Sequence, residues 1–311
     1  MLSRRNVRVK VMQRLYSLAQ DKDLTFDQAL KAFHGSIEDT FDLYLLNLYC
    51  IQKICSFATE DQKHRLTKHI KSDEDKVFTD KLYNNPLLKS LASNKALQDK
   101  YKKLGFFDIE EDVLRKVYKD FVKEEMHQKF ILSSDNTNEE IVEVLLELYR
   151  VCRKNEVFNE VMDDRFAIWT DDKSLVIGTL KKTLKALPTE GPFYMEHFPD
   201  DDTVYNFGEF LLKKVHSEEK EIEKMITPVL ENWESERVAI VDMILIKMAL
   251  IELINFKTIP CKVTLNEYVE LSKSYSTDKS KEFVNGVLDK LMKELQDNNI
   301  IAKEGRGLVD E

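Results

Sequence analysis

The chain has 311 residues, 33% of them charged and 43% apolar, with a formal net charge of −9. Its 8 glycines and 6 prolines fall far below the ~12% that average usage supplies, which excludes an all-β fold built on tight turns and leaves long, uninterrupted helices as the expected content. The apolar fraction is enough for a buried core, so wholesale disorder is excluded, and −9 argues against a surface coated throughout for nucleic acid.

The first twenty residues break the acidic pattern. Arg4, Arg5, Arg8, Lys10 and Arg14 precede the first carboxylate, Asp21. Val7, Val11, Leu15 and Leu18 recur as one stripe of an amphipathic helix, with Ser3 as a candidate cap. Cations at a helix N-terminus are disfavoured by ~0.3–1 kcal/mol each, so stability alone would not gather arginines there. A solvated face or an Arg-rich transit peptide stays open at this point, and no apolar run long enough for a secretory signal is present.

Residues 24 to 187 read as successive helices broken at Asn84-Asn85-Pro86, at Lys103 to Phe107 and at Ser133 to Asn138, with apolar faces such as Ile141, Val144, Leu145 and Leu148. Pro188, Gly191, Pro192 and Pro199, followed by Asp200 to Asp202, mark the best boundary. Beyond it a new helical period begins at Phe207 and continues through Glu218 to Leu230. Val238 to Phe256 is apolar nearly all round and is predicted at the centre of a bundle. It carries Asp242, Lys247 and Glu252, and mid-membrane charges cost ~2.5–3.5 kcal/mol each, so a membrane span is not expected. Thr264 and Glu267 have the spacing of a capping box that would open the next helix. A polar loop with Lys273, Lys279 and Lys281 around Tyr275 precedes the last helix, which carries Val284, Val287, Leu288, Leu291 and Leu295.

Chemistry is sparse. No phosphate-binding glycine loop occurs, the six histidines show no metal-clamp spacing, and no nucleophile stands out. No cofactor, metal site or enzymatic activity is expected. The four cysteines lack any C-x-x-C pair and read as core thiols of a protein in a reducing compartment. What remains is a basic arm with Tyr16 and a Lys-rich loop edged by Tyr275 and Phe283. Single-stranded RNA is held by such a combination of cations and aromatic faces, although on spacing alone Tyr275 and Phe283 fit a core face better.

The stretch WESERVAIVDMILIKMALIELINFKTIPCKVTLNEYVELSKSYSTDKSKEFVNGVLDK, residues 233 to 290, resembles the C-terminal half of the transcription antitermination factor NusB. The arm RRNVRVKVMQRLYSLAQ, residues 4 to 20, resembles that family's first helix, with its arginines and Q-x-L-Y. The resemblance implies an all-α bundle in the cytoplasm. It implies binding of single-stranded boxA-like nascent RNA together with the ribosomal protein NusE, within the RNA polymerase antitermination complex during ribosomal RNA synthesis. Carried over residue by residue, it places RNA contacts at Arg4, Arg5, Arg8, Gln13 and Tyr16 and at Tyr275, Lys281 and Phe283. Lys279 joins them where the family often has an acid, and Glu252 is expected on the partner-facing side.

The chain is longer than ordinary family members. The expected layout is therefore a first helix with its basic arm over 1–23, an inserted helical bundle over 24–187, a linker over 188–202, the NusB-like C-terminal bundle over 203–297 and a tail over 298–311. Phe166, Ile168, Trp169, Asp171, Leu175 and Leu180 before Pro188 faintly echo Trp233, Glu236, Ile240 and Leu245 before Pro260, as a diverged copy would. Two other functions are weighed. RNA cytosine methyltransferases carry a similar helical domain, but that reading needs a following α/β domain with a cofactor loop and a cysteine nucleophile, and only Leu291 to Glu311 follow. A scaffold that binds only protein would have no use for the acid-free arm.

Overall fold

A computed structural model describes residues 1–230 and 238–310. Trp233 and Glu236, which carry part of the resemblance and of the internal echo, lie outside the described residues. Among the described residues the fold is all-α. Its helices are α1 (Arg4–Gln20), α2 (Phe26–Thr67), α3 (Asp73–Val77), α4 (Pro86–Ala92), α5 (Lys95–Lys103), α6 (Glu111–Phe121), α7 (Glu125–Leu132), α8 (Asn138–Lys154), α9 (Glu156–Arg165), α10 (Trp169–Ala186), α11 (Phe210–Ser217), α12 (Glu219–Leu230), α13 (Ile240–Asn255), α14 (Cys261–Tyr275) and α15 (Ser280–Asp297). A wide-turn helix, Asp202–Glu209, leads into α11. No helix among the described residues is long and apolar enough to cross a membrane.

The chain divides into two compact units. One comprises Met1 and Glu38–Phe198; the other comprises Leu2–Ile37 and Pro199–Glu311. The second unit thus takes the first turns of α2 as well as α1, so the division falls at 37/38 rather than at the 23/24 read from the sequence. The physical reason is packing. A Cβ at Gly208 would lie 2.7 Å from Cζ of Phe33 and would overlap Val7 outright, so α1, the start of α2 and the wide-turn helix close on one another at a glycine. Around them, α13 is buried on nearly every side, from Ile244 through Leu253, as its uniformly apolar sequence predicts, with α14 and α15 packed against it.

In the unit that spans Glu38–Phe198, the distal part of α2 is the central element. Every residue from Leu43 to Ile51 is buried. Two of its buried polar side chains are paired across the bundle: Tyr149 donates to Asn47 Oδ1 (3.2 Å) and Tyr44 pairs with Thr183 (2.8 Å). The proline-rich segment read as a linker packs here. Asn94 donates to the Gly191 carbonyl (2.7 Å), Tyr194 to that of Ala96 (3.3 Å), and the rings of Phe198 and Phe41 meet edge to face. All four cysteines are buried free thiols.

Candidate nucleic-acid interface

The arm is built as its sequence suggests. Ser3 caps α1, its Oγ accepting from the Asn6 amide (3.5 Å) while Asn6 Oδ1 accepts from the Ser3 amide (3.2 Å). Val7, Val11, Met12 and Leu15 are buried, and that apolar side fixes which arginines remain outside. Arg5 is exposed. Arg4 is half-buried, donates to Asp202 (3.2 Å) and lies over the Phe207 ring at 5.5 Å. Tyr16 is 42% exposed. Eleven residues at ~100° each return to within about 20° of the starting direction, so Arg5 and Tyr16 share one face of α1.

Arg8 departs from the sequence-based expectation. Its side chain is 4% exposed and engages Glu252, itself fully buried, through two parallel bonds: Nε to Oε2 (2.8 Å) and Nη2 to Oε1 (2.6 Å). The remaining capacity of that carboxylate is filled by Thr264 Oγ1 (2.9 Å) and the Tyr268 hydroxyl (3.0 Å), both donating. Arg8 Nη1 also reaches Glu267 (3.4 Å), and its guanidinium lies over the rings of Phe207 (5.1 Å) and Tyr268 (5.7 Å). Burial alone would lower the Arg8 pKa, but the hydrogen bond and charge of Glu252 outweigh it and hold the guanidinium protonated above its ordinary range. Burial, and then the Glu252 charge, push the Tyr268 phenol up. Arg8 is therefore a core cation rather than a surface contact, and Glu252 faces the core rather than a partner.

The same cluster corrects a second expectation. α14 starts at Cys261 behind Pro260, one turn before the position at which Thr264 and Glu267 would cap it. The two side chains serve Glu252 and Arg8 instead. An acid within the most apolar stretch of the chain was the sequence signal that Glu252 needs buried donors, but nothing local told which ones.

The second half of the site lies on α14, α15 and the turn between them. Ser280 anchors the turn. Its Oγ donates to Asp242 Oδ2 (2.7 Å), its amide to the Thr277 carbonyl (3.0 Å), and the Thr277 amide donates back to Ser280 Oγ (3.2 Å). With Ser280 held inside, its flanking residues Lys279 and Lys281 are exposed, as is Lys273 on α14. Tyr275 and Phe283 are half-buried, neither core residues nor free platforms. Gln13 is also half-buried, its carbonyl accepting from Ser17 Oγ (2.9 Å). Glu270 ties the halves together. Its carboxyl is held below the usual range first by its hydrogen bond with Lys273, then also by the charges of Arg5 and Lys281. Cations from α1, α14 and α15 thus act on the Glu270 carboxyl, with the exposed acids Asp278 and Glu282 beside Lys279 and Lys281. Among the described residues no cluster of His, Cys, Asp or Glu has the composition of a metal site.

A model of the NusB family matches residues 170–293. The match begins within α10 and does not include the arm, Arg4 to Gln20. The chain is similar to three proteins called transcription antitermination protein NusB. That of Salinibacter ruber is 37% identical over 110 residues, 35% of this chain and 69% of the relative. That of Chloroherpeton thalassium is 40% identical over 105 residues, 33% of this chain and 50% of the relative. That of Enterococcus faecalis is 41% identical over 96 residues, 30% of this chain and 62% of the relative. No solved structure matches the chain.

Proposed function

This chain belongs to the NusB family, and we propose that it is a non-enzymatic, RNA-binding transcription antitermination factor acting on nascent RNA in the cytoplasm. The observation that carries the reading is the set of cations around Glu270, Lys273 paired with it and Arg5 and Lys281 acting on its carboxyl by charge, with Lys279 and Phe283 alongside in sequence and Tyr16 on the Arg5 face of α1. A single strand suits such a set, because phosphates meet long cations while unstacked bases lie on aromatic rings at ~1–3 kcal/mol each. The chain as a whole is acidic, so the attraction is local and rests on those few side chains.

Within this reading the RNA is a boxA-like segment, the protein partner is ribosomal protein NusE, and the assembly is the RNA polymerase antitermination complex. Arg4, Arg5, Lys279 and Lys281 meet phosphates; Tyr16, Tyr275 and Phe283 stack on bases; Gln13 contributes an amide. Arg8 and Glu252 are left out of both contact sets because their charges are spent on each other. The test is a fluorescence titration of boxA-like single-stranded RNA with the full chain, alone and with NusE. Binding that is tighter for boxA than for a scrambled strand, and tighter again with NusE, is expected. Equal affinity for both strands and no response to NusE would contradict the assignment.

A further inference from the structure

We propose that the Arg8–Glu252 pair is a positioning lock that sets the rotation of α1 about its axis, and thereby the direction in which Arg5 presents its charge. The inference rests on the RNA-binding reading for its consequence, but its geometry stands alone. The apolar stripe of α1 would tolerate some rotation or slip, since Val, Leu and Met repack at modest cost. A planar fork seated on both oxygens of one carboxylate does not, because its two parallel bonds exist in a single orientation.

The pair lies where three helices meet: Arg8 comes from α1, Glu252 from α13, and Thr264, Glu267 and Tyr268 from α14. The rings of Phe207, on the wide-turn helix, and Tyr268 also lie near the guanidinium, at 5.1 and 5.7 Å from their centroids. Every oxygen lone-pair direction that matters is used, with four donor bonds converging on one carboxylate. Arg5 precedes Arg8 by three residues, which places it about 60° around the helix and ~4.5 Å along it. Fixing Arg8 therefore fixes Arg5 where its charge acts on Glu270, and turning α1 by one residue, ~100°, would carry Arg5 away from it. Stability does not require this device, since a well-packed apolar trio in place of a buried ion pair is often as stable or more so. Orientation does require it.

Two measurements on the full chain test the lock. Amide hydrogen exchange across Val9 to Ser17 should quicken by about tenfold or more in Glu252→Gln, with α14 and α15 keeping their protection. Unchanged protection of α1 would overturn the proposal. In titrations with boxA-like RNA, Glu252→Gln removes no cation and leaves the exposed edge intact in composition, yet affinity should fall by about tenfold, and Arg8→Lys should fall similarly because it keeps the charge and loses the fork. Wild-type affinity in a folded Glu252→Gln or Arg8→Lys protein would overturn the lock, as would stronger binding by Glu252→Gln beside weaker binding by Arg8→Gln, the signature of direct phosphate contact by Arg8. Should Glu252→Gln fail to fold, Tyr268→Phe removes one donor only and should give smaller changes of the same sign, no change in α1 exchange being the contradicting result. If wild-type protein binds no RNA, the functional reading fails while the exchange experiment still decides the lock.

Discussion

Arg5 and Arg8 are three residues apart on one helix and have opposite fates, which the environment of each side chain explains. Arg5 is exposed and its charge is screened by water and salt. Arg8 is 4% exposed and survives as a cation only because Glu252 is beside it. Removing one member of a buried pair leaves the other charge unpaired at ~3–5 kcal/mol, whereas surface substitutions fall within ~0.5 kcal/mol. Glu252→Ala is thus expected to lower the denaturant midpoint strongly and Arg5→Ala hardly at all, as read by circular dichroism. Equal, small effects would contradict the burial argument. The sequence could not separate the two arginines. The basic arm was visible as five cations without an acid, but the partner of Arg8 lies 244 residues away, and no local spacing encodes a contact of that range. Tyr275 and Phe283 illustrate the same limit, since periodicity offers only inside or outside and both are half-buried.

At the level of elements, legibility followed how local the cause is. The low Gly and Pro content, the Ser3 cap and the all-round apolarity of α13 are local causes, and the structure has the helices they imply. The Thr264/Glu267 spacing was misleading because both side chains are claimed by a distant cluster, so the start of α14 falls to Pro260. Gly208 was equally silent, since a glycine within a helical period looks like a weakness rather than a contact. Adding a methyl group there costs ~1–3 kcal/mol in overpacking against Val7 and Phe33, which exceeds the ~0.5–1 kcal/mol that alanine gains in a helix. Gly208→Ala should therefore lower the thermal midpoint, and a raised midpoint would show that α1 and α2 do not approach the wide-turn helix this closely.

For the whole molecule, two units with separate cores carry different kinds of information. The unit of Leu2–Ile37 and Pro199–Glu311 holds the cations near Glu270, while the unit spanning Glu38–Phe198 is a packed bundle whose interior includes the Tyr149–Asn47 and Tyr44–Thr183 hydrogen bonds. The extra length was evident from the sequence, but the division into units was not, because helix α2 runs across one boundary without a break and the proline-rich segment read as the other hydrogen-bonds to the start of α5 through Gly191 and Tyr194. Under the proposed function, a −9 chain would bind RNA through a few cations and so with a definite, small count of phosphate contacts. The most direct measurement is the salt dependence of boxA-like RNA binding by wild type and by the double variant Arg5→Gln, Lys281→Gln. With ~0.7 in slope per contact for a single strand, the plot of log affinity against log salt should flatten by about 1.4 when both cations are removed. An unchanged slope and affinity in the double variant would contradict the account, because these two side chains would then not meet the RNA at all.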